Sequence, residues 1–147
     1  MTTPSLSSFH LVGKKGLVLG LANEHSIAWG CARQAQAMGA EVVASCLNDK
    51  ARPFVEPLTQ GLGMDLQTCN IETPEELEKL VTYAAAKLGR LDFVIHSIAW
   101  APLADLHGRV IDSSSVGFAR AMEVSCHSFA THAAGRQHGH HVIPRCR

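Results

Sequence analysis

The chain has 147 residues, the size of one domain, with 46% hydrophobic and 18% charged residues, a globular composition that excludes a disordered chain. Thirteen basic residues balance thirteen acidic ones, so no overall charge points to nucleic acid or an anionic membrane surface as a partner. No apolar run approaches the roughly 18 residues that cross a bilayer, no basic-then-apolar leader opens the chain, and Cys31, Cys46, Cys69, Cys126 and Cys146, with no CxxC among them, fit a reduced cytoplasmic protein rather than a disulfide framework or a zinc site.

Lys15 to Leu21 is a short apolar run with little alternation, the pattern of a strand buried on both faces. Ser26 opens a helical stretch in which Ile27, Ala28, Cys31, Ala35 and Met38 recur at three- and four-residue spacing, with Gly39 as its stop. Glu41 to Leu47 reads as a second strand. Lys50 to Leu62 reads as a helix whose first turns are weakened by Pro53 and Pro57. Leu66 to Ile71 reads as a third strand. Thr73 caps the next helix, Pro74 takes its first position, Glu75 and Glu76 sit in its first turn, and Gly89 stops it after Leu88. Phe93 to Ala99 is a fourth buried strand, and a last helix is predicted over Ser113 to Ala134.

Strand and helix alternate four times with short connections. That pattern predicts an α/β fold: a Rossmann-like doubly wound parallel sheet, truncated after about four βα units. The last stretch departs from it. No acidic residue follows Glu123, and His127, His132, His138, His140 and His141 all lie in the last 21 positions. The composition shift over residues 131–147 is what a disordered His/Arg-rich tail or a shifted reading frame produces. His138, His140 and His141 lack a scaffold that would fix metal-ligand geometry, so no metal site is expected.

The strongest local signal runs from Gly20 to Gly30, where the first strand turns into the first helix. Such a turn presents free backbone N–H groups and the positive end of the helix dipole, which suit a pyrophosphate. Gly20 permits a tight turn, Gly30 allows the helix to approach the sheet, and Ser26 is a good N-cap whose hydroxyl can also face a phosphate. The G-x-G-x-x-G spacing is absent. From the residues alone, a phosphate-binding turn and a plain glycine turn with a serine cap fit equally well.

Gly20-x5-Ser26-Ile27-Ala28-x-Gly30 resembles the cofactor fingerprint of NADH-dependent enoyl-[acyl-carrier-protein] reductases, divergent members of the short-chain dehydrogenase/reductase family. His96-Ser97-Ile98-Ala99-Trp100-Ala101-Pro102 resembles that family's HSI-x-x-AP segment at the end of the fourth strand. Leu47-Asn48-Asp49 and Cys69-Asn70-Ile71 match at the ends of the second and third strands. The likeness covers roughly residues 10 to 130, about the N-terminal half of a family member.

The resemblance implies a partial NAD-binding reductase domain over residues 1–130 and a set of roles. Gly20, Ala22, Ser26 and Ile27 would hold the pyrophosphate and neighbouring ribose. Leu47, Asn70 and Ile71 would face the adenosine end, Leu47 standing where the family often has Gln and Asn70 where it usually has Asp. Ser97, Ile98 and Ala99 would line the nicotinamide side, and Ala101 would meet the acyl chain. The cofactor implied is NADH, with NADPH left open because Lys50 and Arg52 lie near the adenosine end. The reaction implied is hydride transfer to C3 of a trans-2-enoyl thioester carried on acyl carrier protein, in type II fatty acid biosynthesis, by a cytoplasmic homotetramer. Its Tyr-x6-Lys pair is missing: Tyr83 is the only tyrosine. Tyr83 and Lys87 mimic the Tyr-x3-Lys pair of ordinary short-chain dehydrogenases, but they precede the fourth strand on a helix flanking the sheet and read as surface. No catalytic residue is assigned, and the chain alone is expected to be inactive. The other readings are a non-catalytic nucleotide-binding module and an interaction fragment.

Overall fold

A computed structural model describes residues 10–130. The first strand, β1 (Lys15–Leu21), leads through a five-residue turn into α1 (Ile27–Ala37). Then follow β2 (Glu41–Cys46), α2 (Arg52–Gln60), β3 (Asp65–Thr68), α3 (Pro74–Leu88) and β4 (Phe93–His96). Two short 3₁₀ turns, Leu103–Leu106 and Val110–Asp112, connect β4 to α4 (Ser115–Met122), which runs on into a π turn, Glu123–His127. The expected tail, 131–147, lies outside the described residues.

The strands form one parallel sheet in the order β3-β2-β1-β4. Apolar residues fill both faces of β1, so Leu17, Val18 and Leu19 are wholly buried, as the unalternating sequence requires. Val18, Leu21, Val42, Ala44 and Cys46 pack on one side with α1 and α2 residues such as Ala28, Trp29, Ala32 and Val55. Leu17, Leu19 and Val43 pack on the other with Leu77, Leu80, Ala84 and Leu88 of α3 and Val124. Helices on both faces make the sheet doubly wound, as expected.

Several boundaries differ from expectation, each for a local reason. The fourth strand ends at His96 rather than Ala99. Its register with β1 closes at Leu19↔His96, and Gly20 then bulges out of the β1–β2 ladder, so β1 offers β4 no further regular partner. The third strand ends at Thr68, because Thr73 N–H donates to the Asn70 carbonyl (2.9 Å) and turns the chain. The second helix begins at Arg52, since Asn48 holds the preceding turn through its own side chain, accepting from Ala51 N–H at 3.0 Å. Thr73 occupies the N-cap position of α3 but makes no side-chain capping bond. The last helix starts at Ser115, capped by Ser114, which accepts from Gly117 N–H at 3.0 Å. The chain stays helical to Ala130, where the described residues end.

Gly30 is also corrected. A Cβ at this position would meet nothing within 4 Å, so Gly30 faces open space and is not what brings α1 close to the sheet. Buried Ala28 and Ala32 do that.

β4 is half-buried along its length and pairs only with β1 among the described residues. Leu103, Val110, Ile111, Val116 and Phe118, beyond it, are exposed.

Candidate functional site

The strand order sets where a site can form. The chain steps outward from β1 to β2 to β3, then returns to place β4 on the other side of β1. The two neighbouring connections therefore leave the sheet in opposite directions and open a crevice beyond the carboxyl ends of β1 and β4. The residues matched to the cofactor motifs gather on that edge. Gly20 lies at the carboxyl end of β1 and Ala22 to Ile27 follow it, Leu47 follows β2, Asn70 and Ile71 follow β3, and Ser97 to Ala101 follow β4.

Gly20 and Ser97 meet at the centre of the crevice. Gly20 has φ +94°, and a Cβ there would fall 2.3 Å from the Ser97 carbonyl oxygen and 2.8 Å from Cγ1 of Ile98. Only glycine accepts both the left-handed backbone and that contact. Ser97 N–H in turn donates to the Leu19 carbonyl at 3.1 Å. The β1–α1 turn and the segment after β4 are thus fixed directly against one another.

The turn into α1 is organised by its own polar side chains. Asn23 accepts from His25 N–H at 2.9 Å. The Ser26 hydroxyl donates to the Asn23 carbonyl at 2.7 Å and accepts from Trp29 N–H at 3.3 Å, so Ser26 is an N-cap. Ala22 and Ile27 are exposed. The first turn of α1 carries no acidic residue, whereas α3 carries Glu75 and Glu76 in its first turn. The positive end of α1 is therefore left without a carboxylate of its own turn, the donor set that suits a bound anion.

A cavity of about 540 Å³ lies along the ends of β2 and β3, lined among others by Leu47, Asp49, Gln67, Asn70, Lys79 and Tyr83. It takes in the adenosine-end residues Leu47 and Asn70 but not Gly20, Ser26 or Ser97. Leu47 is half-exposed at its rim. Asn70 is held through its side chain, which accepts from Glu72 N–H at 3.1 Å, and through its backbone N–H, which donates to Glu76 at 2.8 Å. The Ile71 side chain is buried in the core against α3. Arg52 is engaged by Glu56 at 3.0 Å and donates to the Leu66 carbonyl at 3.4 Å. Burial pushes both nearby thiols up, that of Cys69 to about 11 with the Glu76 charge adding to it, so neither is a thiolate nucleophile at neutral pH.

Tyr83 and Lys87 both serve one carboxylate. Tyr83 donates its hydroxyl to Asp65 at 2.6 Å, and the Lys87 ammonium lies 2.9 Å from the same oxygen. Asp65 opens β3, so the pair ties α3 to the amino end of a strand, and Tyr83 also lines the cavity beside β2 and β3.

After β4, Ser97 and Ile98 are half-buried, Ala99 is exposed and Ala101 is half-buried. This segment has a support that sequence reasoning missed. The Ser125 hydroxyl accepts from Trp100 N–H at 3.0 Å and donates toward the Trp100 carbonyl at 3.2 Å. One helical turn on, Ser128 lies 2.8 Å from Nε2 of His96 while its hydroxyl donates to the Val124 carbonyl at 2.7 Å. The single hydroxyl hydrogen is then used, so His96 is the donor from Nε2. Burial pushes the His96 imidazole below its ordinary value, which keeps it neutral. The sequence signal was a pair of serines at helical spacing, but nothing in it named their partners.

A family model described as Enoyl-(Acyl carrier protein) reductase matches residues 20–138. An enoyl-[acyl-carrier-protein] reductase [NADH] of Rhizobium meliloti (strain 1021) is 37% identical over 123 residues, covering 83% of this chain and 45% of that protein. The corresponding enzyme of Aquifex aeolicus is 37% identical over 119 residues, 80% of this chain and 44% of its own. Among solved structures, the Anaplasma phagocytophilum reductase in complex with NAD superposes with a TM-score of 0.80 at 36% identity, covering 85% of this chain and 48% of that one. The chain thus spans about half the length of the relatives it matches.

Proposed function

The chain belongs to the enoyl-[acyl-carrier-protein] reductase family, and on that premise we propose that residues 10–130 form the NADH-binding part of an enzyme that reduces trans-2-enoyl thioesters on acyl carrier protein. The observation that carries the proposal is the meeting of Gly20 and Ser97 at the switch point, which brings both matched motifs to one crevice.

In this reading Gly20, Ala22, Ser26 and Ile27 hold the pyrophosphate and neighbouring ribose, supported by an α1 first turn without acidic residues. Leu47, Asn70 and the Ile71 backbone receive the adenosine end. Ser97, Ile98 and Ala99 line the nicotinamide side, and Ala101 meets the acyl chain. When bound, NADH supplies the hydride that adds to C3 of the enoyl thioester. Arg52 is engaged by Glu56 and the Leu66 carbonyl, which favours NADH over the more negative NADPH. Charge gathering on the thioester oxygen needs a placed donor. These 147 residues contain no Tyr-x6-Lys pair, and their one tyrosine is bonded to Asp65, so binding without turnover is the expected behaviour. A cytoplasmic, homotetrameric setting, and a place in type II fatty acid biosynthesis, belong to the same reading.

The test is a fluorescence titration of NADH against the 147-residue chain, followed by a turnover assay with a short trans-2-enoyl thioester. Saturable binding and no NADH oxidation are expected. Absence of saturable binding by the folded chain overturns the proposal, and oxidation at ordinary enzyme rates overturns its account of the missing pair.

A further inference from the structure

We infer that Ser125 is a positioning residue, which fixes the Ser97–Trp100 backbone so that it lines the nucleotide crevice; the inference rests on the cofactor reading above. Four observations converge on it. The segment after β4 leaves the sheet at His96 and, among the described residues, has no ladder partner from there on, apart from the single Ser97-to-Leu19 bond. Ser125 grips both the N–H and the carbonyl of Trp100. Ser128, from the same helix, contacts His96 at the other end of the segment. The helix is rebuilt where this happens, since residues 123–127 form a π turn.

The π turn makes the arrangement possible. In a regular α-helix, Ser128 N–H bonds to the Val124 carbonyl; here it reaches Glu123 instead. The Val124 carbonyl accepts from the Ser128 hydroxyl, while the Val124 side chain stays buried against the sheet core. π turns interrupt α-helices mostly as single turns, often at functional sites. The helix thereby clamps residues 96 and 100, and the three residues between them are the ones assigned to the nicotinamide side. A loop held at both ends keeps its backbone groups in place without a sheet to order them.

The experiment compares the wild-type chain with Ser125→Ala, Ser125→Thr and a control on the preceding turn, Ser113→Ala. Each is measured for melting temperature, amide hydrogen exchange over residues 96–102 and NADH affinity. Ser125→Ala is expected to melt as a folded protein, to exchange the Trp100 amide about ten-fold faster and to bind NADH about five- to ten-fold more weakly. Ser125→Thr keeps the hydroxyl and is expected to restore both within about two-fold, and Ser113→Ala to change neither. Unchanged exchange in Ser125→Ala overturns the inference whatever NADH does, as does faster exchange with unchanged affinity. Faster exchange in a series whose wild type binds no NADH upholds the anchor and overturns the cofactor reading instead.

Discussion

Gly20 and Ser97 approach so closely that a Cβ on Gly20 would stand 2.3 Å from the Ser97 carbonyl oxygen. They are 77 positions apart in the chain, yet they join the carboxyl end of β1 to the segment after β4. The contact exists because the parallel register brings Leu19 beside His96 and Gly20 then bulges at φ +94°. A backbone carbonyl is the obstacle, so no side-chain rotation relieves it.

Gly20→Ala is therefore expected to cost about 2–4 kcal/mol of folding stability and to remove measurable NADH binding. Urea denaturation and NADH fluorescence on the same preparations check it. Gly30→Ala serves as the contrast, because the added methyl meets nothing within 4 Å; it should be neutral or slightly stabilising through helix propensity.

Leu47 is half-exposed at the rim of the cavity. Leu47→Gln adds a hydrogen-bonding group there at little cost to the core. NADH affinity should rise about three- to five-fold, the worth of one neutral hydrogen bond, with stability changed by less than about 0.5 kcal/mol. Titration of both proteins decides it; equal affinities would place the adenosine elsewhere.

Asp65 predicts acid behaviour. Burial pushes its carboxyl up, but the hydrogen bonds from Tyr83 and Lys87 and the Lys87 charge outweigh that and hold it below its ordinary 3.8. A carboxyl depressed in the folded state stabilises above its unfolded value and loses that contribution as pH falls through the folded one. Asp65→Asn should cost about 1 kcal/mol at neutral pH, and its deficit should shrink below about pH 4. Urea midpoints measured from pH 7 to pH 3 test this, and a deficit that stays constant with pH would contradict it.

His96 predicts a slope in a different window. Burial lowers its pKa from 6.5, so the unfolded chain takes up the proton more readily than the folded one. Its contribution is complete above the unfolded value near 6.5 and is lost as pH falls from there toward the depressed folded value. Stability should therefore decline between about pH 7.5 and about pH 5.5, and His96→Gln, which retains an N–H for Ser128, should flatten that decline. Urea midpoints at the two pH values provide the measurement.

The layered architecture was legible in the sequence because its signals are local. Lys15 to Leu21 reads as a strand buried on both faces because no residue in its interior is polar. Ser26 reads as a cap and Gly89 as a stop because each acts on its own turn, and Gly89 does end α3 at φ +77°. The matched motifs around Gly20 and Ser97 fall on the same edge because parallel strands send all their carboxyl ends one way.

Other outcomes depend on residues far apart in the chain. β4 stops at His96 because Gly20 bulges in its neighbour, not because Ser97 to Ala99 resist a strand. Thr73 sits at an N-cap without its side-chain bond, while Glu76 reaches back to the Asn70 N–H. Ile71 turns its side chain into the core, and Ser125 finds Trp100 across 25 positions. Spacing and capping act within a turn or two, so the linear order of residues is enough to say which segments become strands and helices and which motifs follow the strand ends. Which of those residues touch follows from strand order and register, and these exist only once the sheet has folded.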